Sequence, residues 1–387
     1  MDRILPTPWQ IFGEFLRLGA TAFGGPSMVV YIRELAVEKK HWLSEEEFRQ
    51  GAALCQMIPG ATAMQAAAYV GLRAGGLAGA AASFLGFGLP AFGLMFCFAF
   101  LYAQTGTLPA VVSVFSGLQA VVVAIVANAA YSFGKTTLKN WRHLAIAAAA
   151  GGMFWFNVHP GLVILLAGGL GWLILPQPTL DRLKTGVVRA LELEWQKLTL
   201  ILGGVLAGMA GLYFGAHDLF NLAFLMMRVD LMAFGGGFAS VPLMYHEVVA
   251  VFQWMDGQTF MNGIVLGQVT PGPIVITATF IGYLLQGSFG AIVATLAVFT
   301  PSFLLVVGLA PYYSRFSGSA LLHKLQRGVL CSFVGLLISV GVRLGTQVEW
   351  DLVHGLIALV GLAALLRKVD ILWIVAAGIG LSLLFIR

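Results

Sequence analysis

Apolar residues run along this chain in long unbroken blocks, and they do not alternate with polar ones. Residues 79–102, "GAAASFLGFGLPAFGLMFCFAFLY", carry no charge. A helix needs about 20 apolar residues to cross a bilayer, and this block supplies them. Comparable blocks predict spans at about 76–101, 110–131, 143–157, 161–175, 198–215, 287–312, 326–343, 352–366 and 370–386. Barrel strands would alternate in short segments, so the pattern predicts helices.

A second kind of segment lies between these blocks. Residues 10–37, 45–74, 219–249 and 258–285 each consist of two short apolar pieces around a break rich in glycine and proline. Pieces of roughly a dozen residues are too short to cross and suit re-entrant half-helices. The other reading makes them kinked full spans. The breaks are Gly24-Gly25-Pro26, Pro59-Gly60, Gly235-Gly236-Gly237 and Pro271-Gly272-Pro273.

The pattern repeats. "RLGATAFGGP" (17–26) returns as "RVDLMAFGGG" (228–237), and "WLSEEEFRQGAALCQMIPG" (42–60) as "WMDGQTFMNGIVLGQVTPG" (254–272). "GLPAF" (88–92) matches "FTPSF" (299–303) at the offset of 211 that also relates Gly117 to Gly328. Charge separates the copies. Arg33, Lys39, Lys40 and Arg49 surround Trp42, whereas the second copy has no Lys or Arg from 229 to 314. Further on, residues 102–117 are uncharged while their counterparts include Arg315, Lys324 and Arg327. Positive loops stay in the cytoplasm, so the copies are expected to lie upside down relative to each other, as in many secondary transporters.

The expected fold is therefore an all-α polytopic membrane protein, an inverted-topology (antiparallel) two-repeat transporter with four re-entrant hairpins. The first repeat is expected at 1–180 and the second at 216–387. Between them, 181–215 would hold an interfacial basic helix and the span that inverts the second copy. The amino terminus is expected in the cytoplasm.

Composition agrees and narrows the classes. The 387 residues are 59% hydrophobic and 10% charged, with a mean hydropathy of +0.89, against about 25% charged in soluble domains. "MDRILPTPWQ" lacks a basic stretch followed by an apolar one, so no cleaved signal peptide is expected. The net charge of +5 fits cytoplasmic loops, without the clustered basic face of a nucleic-acid binder. Cys55, Cys97 and Cys331 have no metal-ligand spacing and read as packing residues. "HEVVA" (246–250) lacks the second histidine of a zinc-protease motif, and there is no nucleophile elbow or Walker A sequence. Neither enzyme activity nor a cofactor is expected.

Candidate chemistry gathers at the breaks. A half-helix that starts at membrane depth offers free N–H groups and the positive end of a dipole to an anion. The candidate anion-binding residues are Arg17, Gly24, Gly25, Gln56, Pro59, Gly60, Thr62, Arg228, Gly235, Gly236, Gln268, Thr270 and Gly272. The plainer readings are interhelical hydrogen bonding for Gln and Thr and snorkelling for the two arginines. Glu34 and Glu247 are candidate proton carriers, or else acids solvated or paired at the interface. "EEE" at 45–47 reads as a first helical turn.

These landmarks resemble the chromate ion transporter superfamily over nearly the whole chain. The matching motifs are Phe23-Gly24-Gly25-Pro26, Gln56 to Gly60, Phe234 to Gly237, and Gln268 to Pro273. Ala61 and Ala239-Ser240 depart from the family's usual residues. The resemblance implies export of chromate from the bacterial cytoplasm across the inner membrane, driven by the membrane potential or a proton gradient. Sulfate would be the natural mimic. An oxyanion channel of the same architecture is the alternative, and a membrane-embedded enzyme or scaffold comes after it. The expected partners are the anion and the lipid bilayer, with a homodimer open and no nucleic acid.

Overall fold

A computed structural model describes residues 6–23, 27–176, 195–316 and 318–386. The expected interfacial helix at 181–197 and the glycines of the first break, Gly24 and Gly25, lie largely or wholly outside them. Among the described residues all regular structure is helical. Seven α-helices among the described residues lead up to the linking helix: α1 Pro8–Thr21, α2 Ser27–Arg33, α3 Glu45–Met57, α4 Thr62–Thr105, α5 Pro109–Thr137, α6 Trp141–Trp155 and α7 Pro160–Ile174. The link is α8, Trp195–Gly215. The order then recurs as α9 His217–Met232, α10 Gly237–Tyr245, α11 Gly257–Val269, α12 Thr277–Leu309, α13 Tyr313–Phe316, α14 Ala320–Gln347, α15 Leu352–Leu366 and α16 Ile371–Phe385, with α13 a short addition.

Local chemistry sets where the short helices beside the breaks start and stop. Ser44 caps α3 through the Glu47 amide, Glu47 reaches back to the Ser44 amide, and Glu45, Glu46 and Glu47 fill the first turn. Asp256 caps α11 through the Thr259 amide. Both helices stop before a Pro-Gly break whose glycine has a left-handed backbone, φ +118° at Gly60 and +102° at Gly272, a conformation that glycine adopts without steric cost.

The repetition extends to single dihedrals. Helix α4 bends at Gly75 (φ −148°, ψ 23°) and Gly76 (φ 64°, ψ −156°). Helix α12 bends 211 residues later, at Gln286 (φ −140°, ψ 25°) and Gly287 (φ 61°, ψ −151°). These bends fall where the expected re-entrant pieces end and the next spans begin. The positive-φ residues outside glycine are also paired, His41 with Gln253 and Asn157 with Lys368.

Packing interlocks the two halves. Helix α1 lies on α4 and α9 on α12, while α4 packs against α12. Helix α5 packs on α15 and α16 of the other half, α14 on α6 and α7, and α5 on α14. Small residues allow these contacts: a side chain at Gly171 would lie 2.6 Å from the Gly328 Cα, the close backbone approach typical of membrane helices. Phe15, Phe87, Phe154, Phe260, Phe280 and Phe333 fill the core.

The nine expected spans coincide with helices to within a few residues, and among the described residues five helices are long and apolar enough to cross a membrane. Helices α6, α7, α15 and α16 have 15 residues each. That is about 22 Å at 1.5 Å per residue, short of the ~30 Å hydrocarbon layer. Side-chain caps at Asn140, His159, Asp351 and Asp370 fix where these four helices start. No residue of α8 is buried; one face, with Leu198, Ile201, Met209 and Leu212, packs against the core beside α9 and α12, and the rest of this apolar helix is left to lipid. The chain is a multi-pass membrane protein.

Candidate functional site

The breaks meet in crossed pairs. The Gly60 N–H donates to the Ala233 carbonyl at 2.9 Å, and the Gly272 N–H donates to the Ala22 carbonyl at 2.9 Å. Each Pro-Gly break is thus tied to the end of the first helix of the other half. Ala22 and Ala233 can accept these bonds because α1 and α9 end there and leave carbonyls free.

A cavity of about 830 Å³ opens beside these ties. Its wall includes the starts of two helices, Thr62 on α4 and Gly237 on α10. Their N-cap residues, Ala61 and Gly236, provide no side-chain cap, so first-turn N–H groups are left without side-chain acceptors. Gly235 and Gly236 have φ of +99° and +85°. A Cβ on Gly236 would come 2.8 Å from the Thr62 Oγ1, so glycine keeps this wall open.

Charge in the cavity is one-sided. Lys139, from the loop after α5, and Arg327, on α14, line it together with His143 and Asn140. Among the described residues no Asp or Glu does. Sequence alone sets Arg327 among the charges that separate the two copies and singles out neither it nor Lys139 as a site residue. The available signal is that both lie in segments assigned to the cytoplasmic side.

The candidates from sequence divide. Gln56, Thr62, Gly235 and Gly236 line the cavity, and the Gln56 carbonyl accepts from Gln326 at 2.7 Å. Pro59, Gly60 and Gly272 form the ties behind it. Pro59 turns its carbonyl to the Gln65 amide. Gln268 and Thr270 lie outside the lining: the Gln268 Nε2 is buried without a hydrogen-bond partner, and the Thr270 hydroxyl donates to the Leu266 carbonyl at 2.7 Å.

The two equivalent arginines occupy unlike surroundings, neither of them this cavity. Arg17 is 83% exposed and lies 3.9 Å from Glu14. Arg228 is paired with the buried Glu247 and lies over the Phe252 ring at 5.9 Å. Glu34 lies 3.9 Å from Lys39 on an exposed face. No group of His, Cys, Asp and Glu suited to a metal is found among the described residues.

Comparison with known proteins accords with this arrangement. A family model described as Chromate transporter matches residues 9–172 and again 220–383, the same offset of 211 that relates the repeated motifs. An uncharacterized transporter of Methanocaldococcus jannaschii is 38% identical over 98% of this chain and 95% of its own length. A probable chromate transport protein of Synechococcus elongatus is 32% identical over 91% of this chain and 88% of its own. The chromate transport protein of Cupriavidus metallidurans is 30% identical, over 92% and 88%. No solved structure matches significantly. The two helix starts, the paired breaks and the double match across both halves lead to one assignment: this chain belongs to the chromate transporter family.

Proposed function

We propose that this protein is a secondary transporter that exports chromate, or a related tetrahedral oxyanion such as sulfate, across the inner membrane. The carrying observation is the cavity beside the crossed breaks, lined by Lys139 and Arg327 and by no described acid. Two uncapped helix starts on its wall supply donors and a positive potential without covalent chemistry. The relatives named as chromate transport proteins support the choice of anion.

In this reading Gln56, Thr62, Gly235 and Gly236 are the polar contacts of the anion, with Lys139 and Arg327 as the attracting charges. Both cations come from segments that the positive-inside rule assigns to the cytoplasm, so the cavity faces inward. The halves lie in inverted topology with the amino terminus in the cytoplasm, a reading supported by the charge reversal and the paired bends. Rocking of one repeat against the other then exposes the site to the opposite side.

Purified protein in liposomes tests this reading. It should move chromate and sulfate with saturation, and internal unlabelled anion should accelerate entry of external label. Absence of flux for both anions would refute the transport assignment, and flux without saturation or counterflow would make the protein a channel.

A further inference from the structure

One half of the crossing carries a buried acid that the other half lacks. Asp230, near the end of α9, has no solvent exposure. One carboxylate oxygen accepts from the Ser302 backbone N–H at 2.8 Å, and the Ser302 hydroxyl oxygen accepts from the Ala61 N–H at 2.8 Å. Gly60 lies at the centre of this cluster. A Cβ there would sit 2.1 Å from Ser302 Oγ, 2.7 Å from Gln65 Nε2 and 3.2 Å from Asp230 Oδ2. Gln65 is itself fully buried and donates to the Pro59 carbonyl at 2.5 Å. Two acceptors remain without partners, Asp230 Oδ1 and Gln65 Oε1.

Among the described residues no cation is paired with the acid. From α4, the second break and α12, the groups around it are Gln65, Gly60, Ala61 and Ser302, none of them titratable. On α9 and the elements beyond, Arg228 is engaged with Glu247 and approaches His159 at 3.5 Å. An unpaired carboxylate at membrane depth is costly and marks a functional group.

The twin position shows that the scaffold does not need it. Asp230 corresponds to Gly19, Ser302 to Ala91, both at the offset of 211, and Gln65 to Thr277 at 212. There the Gly272 tie to Ala22 forms at the same 2.9 Å, the neighbour of Gly272 is the Ala91 methyl group, and the Thr277 hydroxyl is satisfied by the Ile274 carbonyl. The same backbone crossing is thus built with no acid and no orphaned oxygen.

We propose that Asp230, with Gln65 and Ser302 positioning it, is the site of the proton that couples to anion movement. A proton on Asp230 Oδ1 turns that orphaned acceptor into a donor and removes the buried charge. Ala61 connects the site to the anion: it lines the anion cavity while its N–H holds Ser302. Protonation therefore changes the break from which α4 starts. This proposal rests on the oxyanion-transport reading and adds its coupling ion.

The test uses full-length protein in liposomes with a trapped pH dye. Wild-type anion flux should carry protons, and a pH gradient should drive anion accumulation. Asp230→Asn should lower gradient-driven accumulation about tenfold or more while leaving sulfate counterflow within about twofold. Wild-type flux without proton movement would overturn the proposal even if the variant does not fold, as would Asp230→Asn that still accumulates anion on a pH gradient. Dependence on a sodium gradient in place of pH would overturn it as well. If wild type moves no anion at all, the transport reading fails instead.

Discussion

Breaking the Arg228–Glu247 pair tests whether this arginine is occupied structurally or available to an anion. Glu247 keeps 4% of its side-chain exposure and Arg228 21%. Replacing Arg228 with Met leaves a nearly dry carboxylate without its partner, and losing one member of a buried pair costs about 3–5 kcal/mol. Glu247→Leu should cost less, because the arginine left behind is more exposed and still faces His159 and the Phe252 ring. The double variant removes both charges and should recover to within about 1 kcal/mol of wild type, since apolar replacement of a whole buried pair is often neutral. Unfolding free energy in mixed micelles, measured against the fraction of denaturing detergent, gives the four corners of the cycle. Sulfate affinity of the double variant should stay within about twofold, consistent with an arginine outside the cavity. Additive single effects, or loss of anion binding in the double variant, would refute this reasoning.

Three further outcomes follow from the geometry. Gly60→Ala forces a Cβ into the left-handed region against Ser302 and Gln65 and should abolish transport. Gly13→Ala, where a Cβ meets nothing within 4 Å, should be neutral or stabilise by about 0.5–1 kcal/mol; equal effects in a thermal-stability and flux comparison would contradict this. Asp256→Ala should lose about 1 kcal/mol by removing the α11 cap. Burial alone would raise the Asp256 carboxyl, but the Thr259 amide and hydroxyl outweigh it and hold it below the usual range. Its contribution should therefore be present above the unfolded value of about 3.9 and disappear as pH falls through the lower folded value; an unfolding titration that is the same with and without Asp256 would disprove it. In a background without native cysteines, an impermeant thiol reagent applied outside intact cells should label Gln253→Cys and spare the equivalent His41→Cys. Labelling of both or neither would exclude inverted halves.

Much of the architecture is legible because membrane depth leaves few solutions. Apolar block lengths mark the helices, Pro-Gly pairs mark where they stop, and "EEE" after Ser44 marks where α3 starts. The offset of 211 relates the two bends as well as the motifs. What sequence does not contain is which break meets which, because the Gly60–Ala233 and Gly272–Ala22 ties are set by how α4 and α12 pack. Lys139 and Arg327 look like ordinary loop charges until α5 and α14 bring them to one wall. Arg17 and Arg228 illustrate the limit of symmetry: Glu14 lies three residues before the exposed Arg17 on the same helix, whereas Glu247 reaches Arg228 from the segment after α10. Asp230 was detectable as a charge opposite Gly19 in otherwise matching copies, but only packing reveals that it has no cationic partner among the described residues.

Equilibrium binding of sulfate to purified wild type and to Lys139→Gln and Arg327→Gln shows whether an oxyanion binds in the cavity beside the crossed breaks. In a wet cavity with dielectric near 80 and a separation of about 8 Å, one positive charge attracts a dianion by about 1 kcal/mol. Each variant should therefore bind about fivefold more weakly, and the double variant about 25-fold more weakly, with folding intact. Wild-type affinity in the double variant would contradict the account.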